Sequence, residues 1–373
     1  MTYFNIETPI GIRSIGTDKP CFVIAELSGN HGQKFEQAVQ LVRAASHAGA
    51  DAVKLQTYTP DTLTIDSDLP WFMVNNKDNP ELWKGQKLYD LYKTAFTPWD
   101  WFPKLKELTE SLGMVFFSSA YDQTSVDFLE QLPVALYKVA SYEATDLITL
   151  RAVAKTQKPV ILSTGFATNE EISYAVETLK RYGSGDIALL HCVTEYEGAA
   201  NFDAMNLATM QDLANRYKVV SGFSDNNAGI EVPLVAAGYG ASIIEKHLTM
   251  SRAEGGPDAR FSVEPEELKS LVAAIRKKEC GEPVSLVSDL DKKRMFGKVN
   301  YGCQSEKEKQ NTFFRRSLFV VKDMKAGDIF SPDNVRSIRP SAGIAPKHYD
   351  EVMGKHAASP IPCGTPLSWD LIL

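Results

Sequence analysis

The stretch Ala52-Val-Lys-Leu-Gln56 is a short apolar run that carries a lysine and ends at a polar residue. Seven more runs of this kind recur along the chain, and between them lie segments with helical spacing of apolar residues, such as Glu36 to His47 and Trp99 to Leu112. Strand and helix that alternate about eight times predict a parallel TIM (β/α)8 barrel. The other runs are Cys21–Glu26, Met114–Ser118, Leu136–Ser141, Pro159–Ser163, Ile187–His191, Val219–Ser224 and Ser242–His247.

Polar side chains lie at or just after the ends of these runs. In a TIM barrel the carboxyl ends of the strands meet on one face, where the following loops build the active site. The sequence therefore predicts one pocket that gathers these polar side chains. They are Glu26, Lys54, Gln56, Ser119, Lys138, Glu143, Ser163, Asp225 and His247.

Composition limits the classes of partner. The chain has 373 residues, 44% of them hydrophobic, and a formal net charge of −7. The sequence shows no long run of Lys and Arg, so we expect no nucleic acid partner. It also shows no leader pattern and no apolar stretch of roughly 18 residues, so we expect no membrane partner and a cytoplasmic location. The sequence contains no dinucleotide fingerprint, P-loop or GxSxG elbow, so hydride transfer and ATP chemistry lose support. The five cysteines are scattered without CxxC, which favours free thiols.

The chain is predicted to have two domains. Residues 1–276 carry the barrel pattern. Residues 277–312 show neither the helical nor the strand spacing of apolar residues and are interpreted as a linker. Residues 313–373 contain many prolines between short segments and predict a small β-rich domain. A long loop from Tyr58 to about Asp100 contains several aromatic residues. We expect it either to cover a ligand or to pack its aromatic side chains onto the barrel.

Lys54 and Lys138 lie within apolar runs, where an unpaired buried ammonium is too costly. Each lysine could pair with Glu26, Glu143 or Glu245 in a structural salt bridge. Alternatively, both lysines and nearby hydroxyls form a cradle for an anion, of which phosphate plus carboxylate is the natural example. Glu26 precedes a polar turn and could direct its carboxylate to a bound water or sugar hydroxyl. The hydroxyls of the cradle are Ser119, Ser141, Ser163 and Ser224.

A divalent metal site is also predicted at the carboxyl face. His191 and His247 close two predicted strands, and Asp225 and Asn226 close another. Imidazole and oxygen donors at one face fit a hard divalent ion. A single histidine is more often a hydrogen-bonded core residue, but for His247 we favour the metal.

Eight motifs that follow in order along the chain carry a family resemblance. They are Ile24-Ala-Glu-Leu-Ser-Gly-Asn-His31, Ala50-Asp-Ala-Val-Lys-Leu-Gln-Thr57, Tyr137-Lys-Val-Ala-Ser-Tyr-Glu143, Leu162-Ser-Thr-Gly165, Gly222-Phe-Ser-Asp225, Ile244-Glu-Lys-His247, Gly255-Gly-Pro-Asp258 and Arg339-Pro340. With these motifs the chain resembles the sialic acid synthase family, whose members condense phosphoenolpyruvate with an amino-sugar aldehyde to a nine-carbon keto acid. The tail looks like the family's antifreeze-like (SAF) domain.

Other motifs resemble the pseudaminic acid synthase branch of that family. They are Gln56-Thr-Tyr-Thr-Pro-Asp61, Leu82-Trp83, Leu88-Tyr89 and Thr97-Pro-Trp99. The branch implies a 2,4-diacetamido-2,4,6-trideoxyhexose as the aldehyde. The alternatives are N-acetylneuraminate or legionaminate synthesis, a binding homologue without activity, and a lyase or aldolase that would use Lys138 as a Schiff-base lysine.

The resemblance also implies roles for individual residues. Arg339 would reach the active site of the other subunit, in a domain-swapped homodimer. A divalent metal would polarise the aldehyde, C3 of the enolpyruvate would attack it, and water would add at C2 before phosphate leaves. The implied catalytic residues are Glu26, Lys54, Lys138, Asp258 and Arg339. The implied phosphoenolpyruvate ligands are Lys54, Ser119, Lys138, Ser141, Ser163 and Ser224, and the residues that would face the sugar are Glu26, Gln56, Glu143, Tyr196 and Asp258.

Three positions depart from the family pattern. Asn226 stands where the family has a metal-binding histidine beside His247, and its carbonyl oxygen is a weaker ligand for most first-row metals. We therefore expect weakened binding of Mn²⁺, Mg²⁺ or Co²⁺, or a shift toward harder ions. Ser119-Ala120 replaces Thr-Pro and Tyr196-Glu197 replaces Tyr-Pro, so a changed sugar substrate is credible.

Overall fold

The structure is a computed structural model and describes residues 2–9, 11–74, 83–284 and 286–373. Its centre is a closed barrel of eight parallel strands, one in each predicted apolar run, which confirms the TIM barrel. Leu82 of the Leu82-Trp83 motif lies outside the described residues. The described strands are β1 (Tyr3–Thr8), β2 (Gly11–Gly16), β3 (Phe22–Glu26), β4 (Ala52–Thr57), β5 (Val115–Ala120), β6 (Tyr137–Val139), β7 (Val160–Ser163), β8 (Ile187–Glu197), β9 (Val220–Asn227), β10 (Ile243–His247), β11 (Ser317–Val320) and β12 (Val335–Ile338).

The pleat of the strands decides which side chains enter the barrel. β3 to β10 pair in chain order, and β10 closes the barrel on β3. Because successive side chains of a strand alternate between its faces, Ala52, Lys54 and Gln56 of β4 face the interior, while Val53 and Leu55 pack in the surrounding apolar layer. The amino-terminal part of the interior is apolar, and the carboxyl end is polar.

Helices between the strands cover the outside of the barrel. The predicted helix Glu36 to His47 is observed as α1 (Phe35–Ala48), and its C-cap is Gly49, whose φ of 82° is the left-handed conformation typical of that position. The predicted segment Trp99 to Leu112 divides into a 3₁₀ turn and α4. The described helices are α1 (Phe35–Ala48), α2 (Pro60–Leu63), α3 (Leu88–Ala95), α4 (Phe102–Ser111), α5 (Gln123–Glu130), α6 (Leu147–Ala154), α7 (Asn169–Arg181), α8 (Ala208–Tyr217), α9 (Glu231–Gly238), α10 (Pro265–Glu279), α11 (Asp289–Phe296), α12 (Glu306–Asn311) and α13 (Tyr349–Val352).

An antiparallel hairpin of β1 and β2 precedes the barrel. Phe4, Ile6 and Ile15 of this hairpin pack with the first residues of the barrel strands, among them Phe22 and Ala52. The hairpin therefore closes the amino-terminal end of the barrel, which leaves the carboxyl end for a ligand. The pattern of apolar runs did not predict it.

Residues 277–312, interpreted from the sequence as a linker, contain α11 and α12 although no helical period is evident there. Met295 of α11 is buried, and its carbonyl oxygen accepts a hydrogen bond from the backbone N–H of Leu207. In α12, a carboxylate oxygen of Glu308 accepts bonds from the backbone and hydroxyl of Thr194, and Asn311 donates to the Thr194 carbonyl oxygen. The segment is thus packed along the barrel and attached to the end of β8.

The C-terminal residues form a small β-rich domain around the hairpin of β11 and β12. It contacts the barrel through a ring pair of Phe72 and Phe319 with centroids 5.2 Å apart. The backbone N–H of Arg339 donates to the Leu63 carbonyl oxygen at 2.8 Å, so the end of β12 lies on the loop that follows β4. None of the helices in the described part of the chain has the length and hydropathy of a membrane span.

Candidate active site

A cavity lies at the carboxyl end of the barrel. Its wall combines side chains from all eight barrel strands and their loops with Arg339 from the C-terminal domain. Most residues that the sequence predicts for the site line this cavity, and the exceptions are Glu143, Asp225 and His191. The predicted residues in the wall are Glu26, Lys54, Gln56, Ser119, Lys138, Ser141, Ser163, Tyr196, Ser224, Asn226, His247, Asp258 and Arg339.

The two lysines face this one cavity, and each also has a carboxylate neighbour. Lys54 Nζ lies 2.5 Å from Glu26 Oε2 and donates to Ser119 Oγ at 3.0 Å. Lys138 Nζ lies 3.2 Å from Glu245 Oε1. Both alternatives from the sequence are thus met in part, because the lysines are salt-bridged and also stand together at the cavity. An incoming anion must share these ammonium groups with Glu26 and Glu245.

Burial and charge move the pKa values of these groups in different directions. Burial acts to lower the pKa of Lys54, but Glu245 and Glu26 outweigh it, whereas burial prevails at Lys138 and lowers its pKa. Burial opposes the ionisation of Glu245, yet the two lysines lower its pKa. Burial raises the pKa of both Glu26 and Asp258 above the usual carboxyl range. In both Glu26 and Asp258, burial thus favours the protonated form.

The serines of the proposed cradle differ in their hydrogen bonds. Ser224 Oγ donates to Glu245 Oε1 at 2.9 Å, and Ser141 Oγ accepts from the backbone N–H of Gly165 at 3.2 Å. Ser163 Oγ is buried and has no hydrogen-bond partner among the described residues. A buried hydroxyl without a partner is unusual in a folded protein. Ser163 is therefore free to bond a ligand in the cavity.

His247 and Asn226 form a donor pair in the same wall. Burial, with help from Lys54, lowers the pKa of His247 to about 3, so the imidazole is neutral. Its Nε2 lies 3.1 Å from Asn226 Oδ1, and its Nδ1 lies 3.3 Å from Ser28 Oγ. Asn226 Nδ2 contacts Cys192 Sγ at 3.0 Å, which directs the amide oxygen toward His247.

The donor pair fits a divalent ion. Imidazole nitrogen and amide oxygen are both ligands for such ions, and His247 Nε2 and Asn226 Oδ1 would hold it. The described residues contain no group of three or more His, Cys, Asp or Glu side chains suited to a metal. Water or substrate oxygens would therefore have to complete the coordination.

Asp225 and His191 do not face the cavity, contrary to the expectation from the sequence. Asp225 Oδ2 accepts from Lys246 Nζ at 2.7 Å, and both side chains are buried. His191 Nε2 lies 2.8 Å from the Met205 carbonyl oxygen, and burial lowers its pKa to about 4. The reason is the strand pleat, since Asp225 follows the inward-facing Ser224 and therefore points to the other side.

Glu143 lies behind the cavity wall instead of facing a sugar. Its Oε1 accepts from Arg339 Nη2 at 2.8 Å and from Arg316 Nε at 3.2 Å. The structure of this single chain places Arg339 in the pocket of its own barrel, whereas the resemblance implies the pocket of the other subunit. Thr64 holds Arg339 there, because its hydroxyl donates to the Arg339 carbonyl oxygen at 2.9 Å.

The outer half of the cavity is aromatic, and we call it the aromatic chamber. The Arg339 guanidinium lies over the Tyr142 ring at 4.9 Å, and its Nη1 donates to Tyr92 Oη at 3.2 Å. The predicted loop from Tyr58 to Asp100 supplies part of this wall, so its aromatic residues both pack and line the cavity. The members of the aromatic chamber are Tyr58, Trp83, Tyr92, Tyr121, Tyr142, Tyr196 and Phe314.

Sequence reasoning missed two contributions to the site. Glu245 was considered only as a salt-bridge partner, yet it lines the cavity. Glu245 lies two residues before His247 on β10, and residues at this spacing share a strand face. The sequence therefore contained the information that Glu245 faces the cavity together with His247. Tyr121, Tyr142 and Phe314 carried no signal, since their loops meet only in the folded chain.

Comparison with known proteins agrees with this architecture. Residues 41–281 match the NeuB family model, and residues 315–373 match the SAF domain. The chain belongs to the NeuB family. The expected resemblance is thus confirmed, and the β-rich tail of this NeuB-family chain is its SAF domain.

Relatives of the NeuB-family chain include proteins that are named synthases. It is 39% identical to pseudaminic acid synthase of Campylobacter jejuni, over 95% of this chain and 98% of that protein. It is 34% identical to N,N'-diacetyllegionaminic acid synthase of Legionella pneumophila, over 97% of each. The crystal structure of spore coat polysaccharide biosynthesis protein SpsE from Bacillus subtilis matches with a TM-score of 0.79 and 30% identity, over 97% of both chains. The chain is therefore an enzyme of the phosphoenolpyruvate-dependent nonulosonic acid synthase class.

Proposed function

We propose that this enzyme condenses phosphoenolpyruvate with 2,4-diacetamido-2,4,6-trideoxyhexose and water to a pseudaminic acid-type nonulosonic acid and phosphate. The observation that carries the proposal is that Lys54 and Lys138 face one cavity together with the unpaired hydroxyl of Ser163. The choice of sugar is supported by the higher identity to a pseudaminic acid synthase than to a legionaminic acid synthase, 39% against 34%.

Phosphoenolpyruvate binds in this proposal at the inner, polar half of the cavity. Lys54 and Lys138 supply positive charge, and Ser163 supplies a hydroxyl that needs no internal bond to be broken. Burial favours protonation of Glu26, which would free Lys54 for the ligand. The reactive carbon would then point outward to the aromatic chamber, where the sugar aldehyde is held.

The reaction forms one carbon–carbon bond and breaks one carbon–oxygen bond. C3 of phosphoenolpyruvate bonds to the aldehyde carbon, whose oxygen takes a proton and becomes a hydroxyl group. Water adds to C2, and the phosphate leaves with the bridging oxygen, so C2 becomes the keto carbon. Glu26 and Asp258 are placed to move these protons, because both line the cavity and both have raised pKa values.

We propose that His247 and Asn226 hold a divalent ion such as Mn²⁺, Mg²⁺ or Co²⁺. The neutral imidazole and the amide oxygen are suitable ligands, and they lie side by side in the cavity wall, with Nε2 and Oδ1 within hydrogen-bond distance at 3.1 Å. The chemistry that such an ion supplies is Lewis-acid polarisation of a carbonyl oxygen. The protein would contribute the orientation of the two ligands, through Ser28 and Cys192.

The assembly and location are also proposals. We propose a homodimer in which the C-terminal domains are exchanged, so that the contact of Arg339 with Glu143 forms between subunits. Mixing Arg339→Ala with Lys138→Met subunits tests it, because an exchanged dimer regains about a quarter of wild-type activity. No recovery would show that each chain completes its own site. All five cysteines are free thiols, which supports a cytoplasmic location.

Phosphate release from phosphoenolpyruvate tests the function. We expect release only with a sugar aldehyde and a divalent ion, and faster with the diacetamido-trideoxy sugar than with N-acetylmannosamine. Lys54→Met should abolish release, whereas Lys84→Met, outside the cavity wall, should not. A folded wild-type enzyme that binds phosphoenolpyruvate but turns over no sugar would favour the binding homologue, which the unusual Asn226 makes the second candidate.

A further inference from the structure

The indole N–H of Trp83 is a buried donor without an acceptor. Trp83 lines the cavity and is only 8% exposed. Its ring meets Tyr196 and Phe314 edge-on, with centroids 5.7 Å and 5.4 Å away. Among the described residues, no atom accepts a hydrogen bond from Trp83 Nε1. Because buried polar groups in proteins are normally bonded, this donor points to an acceptor on a ligand.

A second unpaired donor belongs to the same chamber. Arg339 uses Nη1 for Tyr92 and Nη2 for Glu143, but its Nε has no partner in the described part of the chain. Phe314 and Tyr142 lie between Trp83 and Arg339, because Phe314 contacts both Trp83 and Tyr142, and Tyr142 packs under the guanidinium. The aromatic chamber therefore offers two separate N–H donors with aromatic surface between them.

Two donors in an aromatic wall match two acylated amino groups. Indole and guanidinium N–H groups can donate but cannot accept, so each requires an acceptor such as a carbonyl oxygen. An acetamido group brings that oxygen together with a methyl group that packs on an aromatic ring. A hydroxyl group at the same sugar position is shorter and brings no methyl group.

We propose that Trp83 determines sugar specificity by donating from Nε1 to the carbonyl oxygen of one acetamido group. The inference rests on the proposed function and deepens it, because it assigns the choice of a diacylated sugar to a residue of the loop that follows β4. An enzyme for a singly acylated sugar has no use for the second donor.

The test is Trp83→Phe, which removes the donor and keeps an aromatic ring. We expect KM for the diacetamido sugar to rise about tenfold, while KM for phosphoenolpyruvate stays unchanged. The preference of the enzyme for this sugar over a matched sugar with a hydroxyl at one acetamido position should shrink by the same factor. The control is Trp71→Phe on the same loop, a residue that is 41% exposed and absent from the cavity wall.

Unchanged sugar KM and unchanged preference in a folded Trp83→Phe enzyme would overturn the inference. If that variant does not fold, the wild-type enzyme still gives an answer through the indole N–H resonances of its five tryptophans in ¹⁵N NMR. The Trp83 signal, assigned by phenylalanine variants of the other four, should move downfield when the diacetamido sugar binds. A Trp83 resonance whose chemical shift stays the same when the sugar binds would contradict the proposal.

Failure of the proposed function looks different. In that case the wild-type enzyme would turn over none of the sugars, and the comparison of variants would not arise. If the wild-type enzyme turns over the sugar and the Trp83→Phe variant has the same sugar KM and sugar preference, only the role of Trp83 is refuted.

Discussion

The carboxylate of Glu143 in the barrel accepts a hydrogen bond from Nη2 of Arg339 in the C-terminal domain at 2.8 Å, and both side chains are buried. The same carboxylate oxygen also bonds Arg316. One buried acid thus pairs with two arginines at the contact between domains and holds Arg339 in the cavity wall, while Arg316 also lies 3.9 Å from Asp146.

Glu143→Gln should destabilise the protein strongly. The substitution removes the carboxylate that pairs with the buried Arg339, whereas Arg316 keeps Asp146 at 3.9 Å, and breaking a buried pair costs about 3–5 kcal/mol. Urea unfolding measures the loss. Asp350→Asn is the control, because Asp350 is exposed in its pair with Arg151, and an exposed pair contributes about 1 kcal/mol or less. Equal effects of the two variants would contradict the importance of the buried pair.

Ser163→Ala should weaken phosphoenolpyruvate binding without weakening the fold. Ser163 Oγ has no partner in the described structure, so its removal breaks no internal bond. We expect KM for phosphoenolpyruvate to rise about tenfold, the effect of one lost hydrogen bond to a charged ligand, with KM for the sugar unchanged. Ser118→Ala is the matched control, because Ser118 lies two strands away in the same barrel and bonds Thr57 at 2.6 Å. This variant should lose about 1 kcal/mol of stability and keep normal kinetics. A Ser163→Ala enzyme that loses stability but keeps a normal KM for phosphoenolpyruvate would refute the role of Ser163.

Glu308 should make stability depend on pH. Burial raises the pKa of Glu308 from 4.5 to about 6, against the opposing bonds from Gln304 and Thr194. The folded state therefore holds this proton more tightly than the unfolded state, and the contribution is complete below pH 4.5 and lost as pH rises through 6. The free energy of unfolding of the wild type minus that of Glu308→Gln should fall by about 2 kcal/mol across this range.

Chemical unfolding at several pH values between 4 and 8 measures this difference. Glu306→Gln on the same helix is the control, because Glu306 is exposed and should show no such trend. A difference that rises with pH would show that Glu308 is stabilised in its charged form.

Asn226→His should strengthen divalent metal binding. An imidazole binds most first-row metals better than an amide oxygen, so the Kd for Mn²⁺ should fall at least about tenfold. Titration calorimetry with MnCl₂ measures it, with His348→Asn on the C-terminal domain as the control. No metal binding by either the wild type or Asn226→His would refute the proposed site. Higher turnover of Asn226→His would indicate an impaired natural site, and lower turnover a site adapted to its amide ligand.

Much of the barrel could be predicted from the sequence, because strands buried on both faces give apolar runs that few other structures produce. Six of the runs begin one residue before the observed strand, as at Val160 and Ile243, and the starts at Ala52 and Ile187 are identical. The predicted strand ends agree less well with the observed ones. For example, β8 continues to Glu197 through polar residues, which an apolar pattern does not include. The hairpin of β1 and β2 was missed because only Phe4, Ile6 and Ile15 of it are buried in the core.

The sequence by itself determined most of the strand-end residues that reach the cavity, such as Lys54, Lys138 and His247, because strand alternation and the carboxyl-end rule depend only on local order along the chain. It also predicted the family through its ordered motifs. Tertiary structure alone decided that Lys54 pairs with Glu26 and that Glu143 bonds Arg339 outside the cavity wall. It also decided which aromatic residues form the aromatic chamber. These contacts join residues far apart in the chain, and the energies that select them arise only when burial removes the surrounding water.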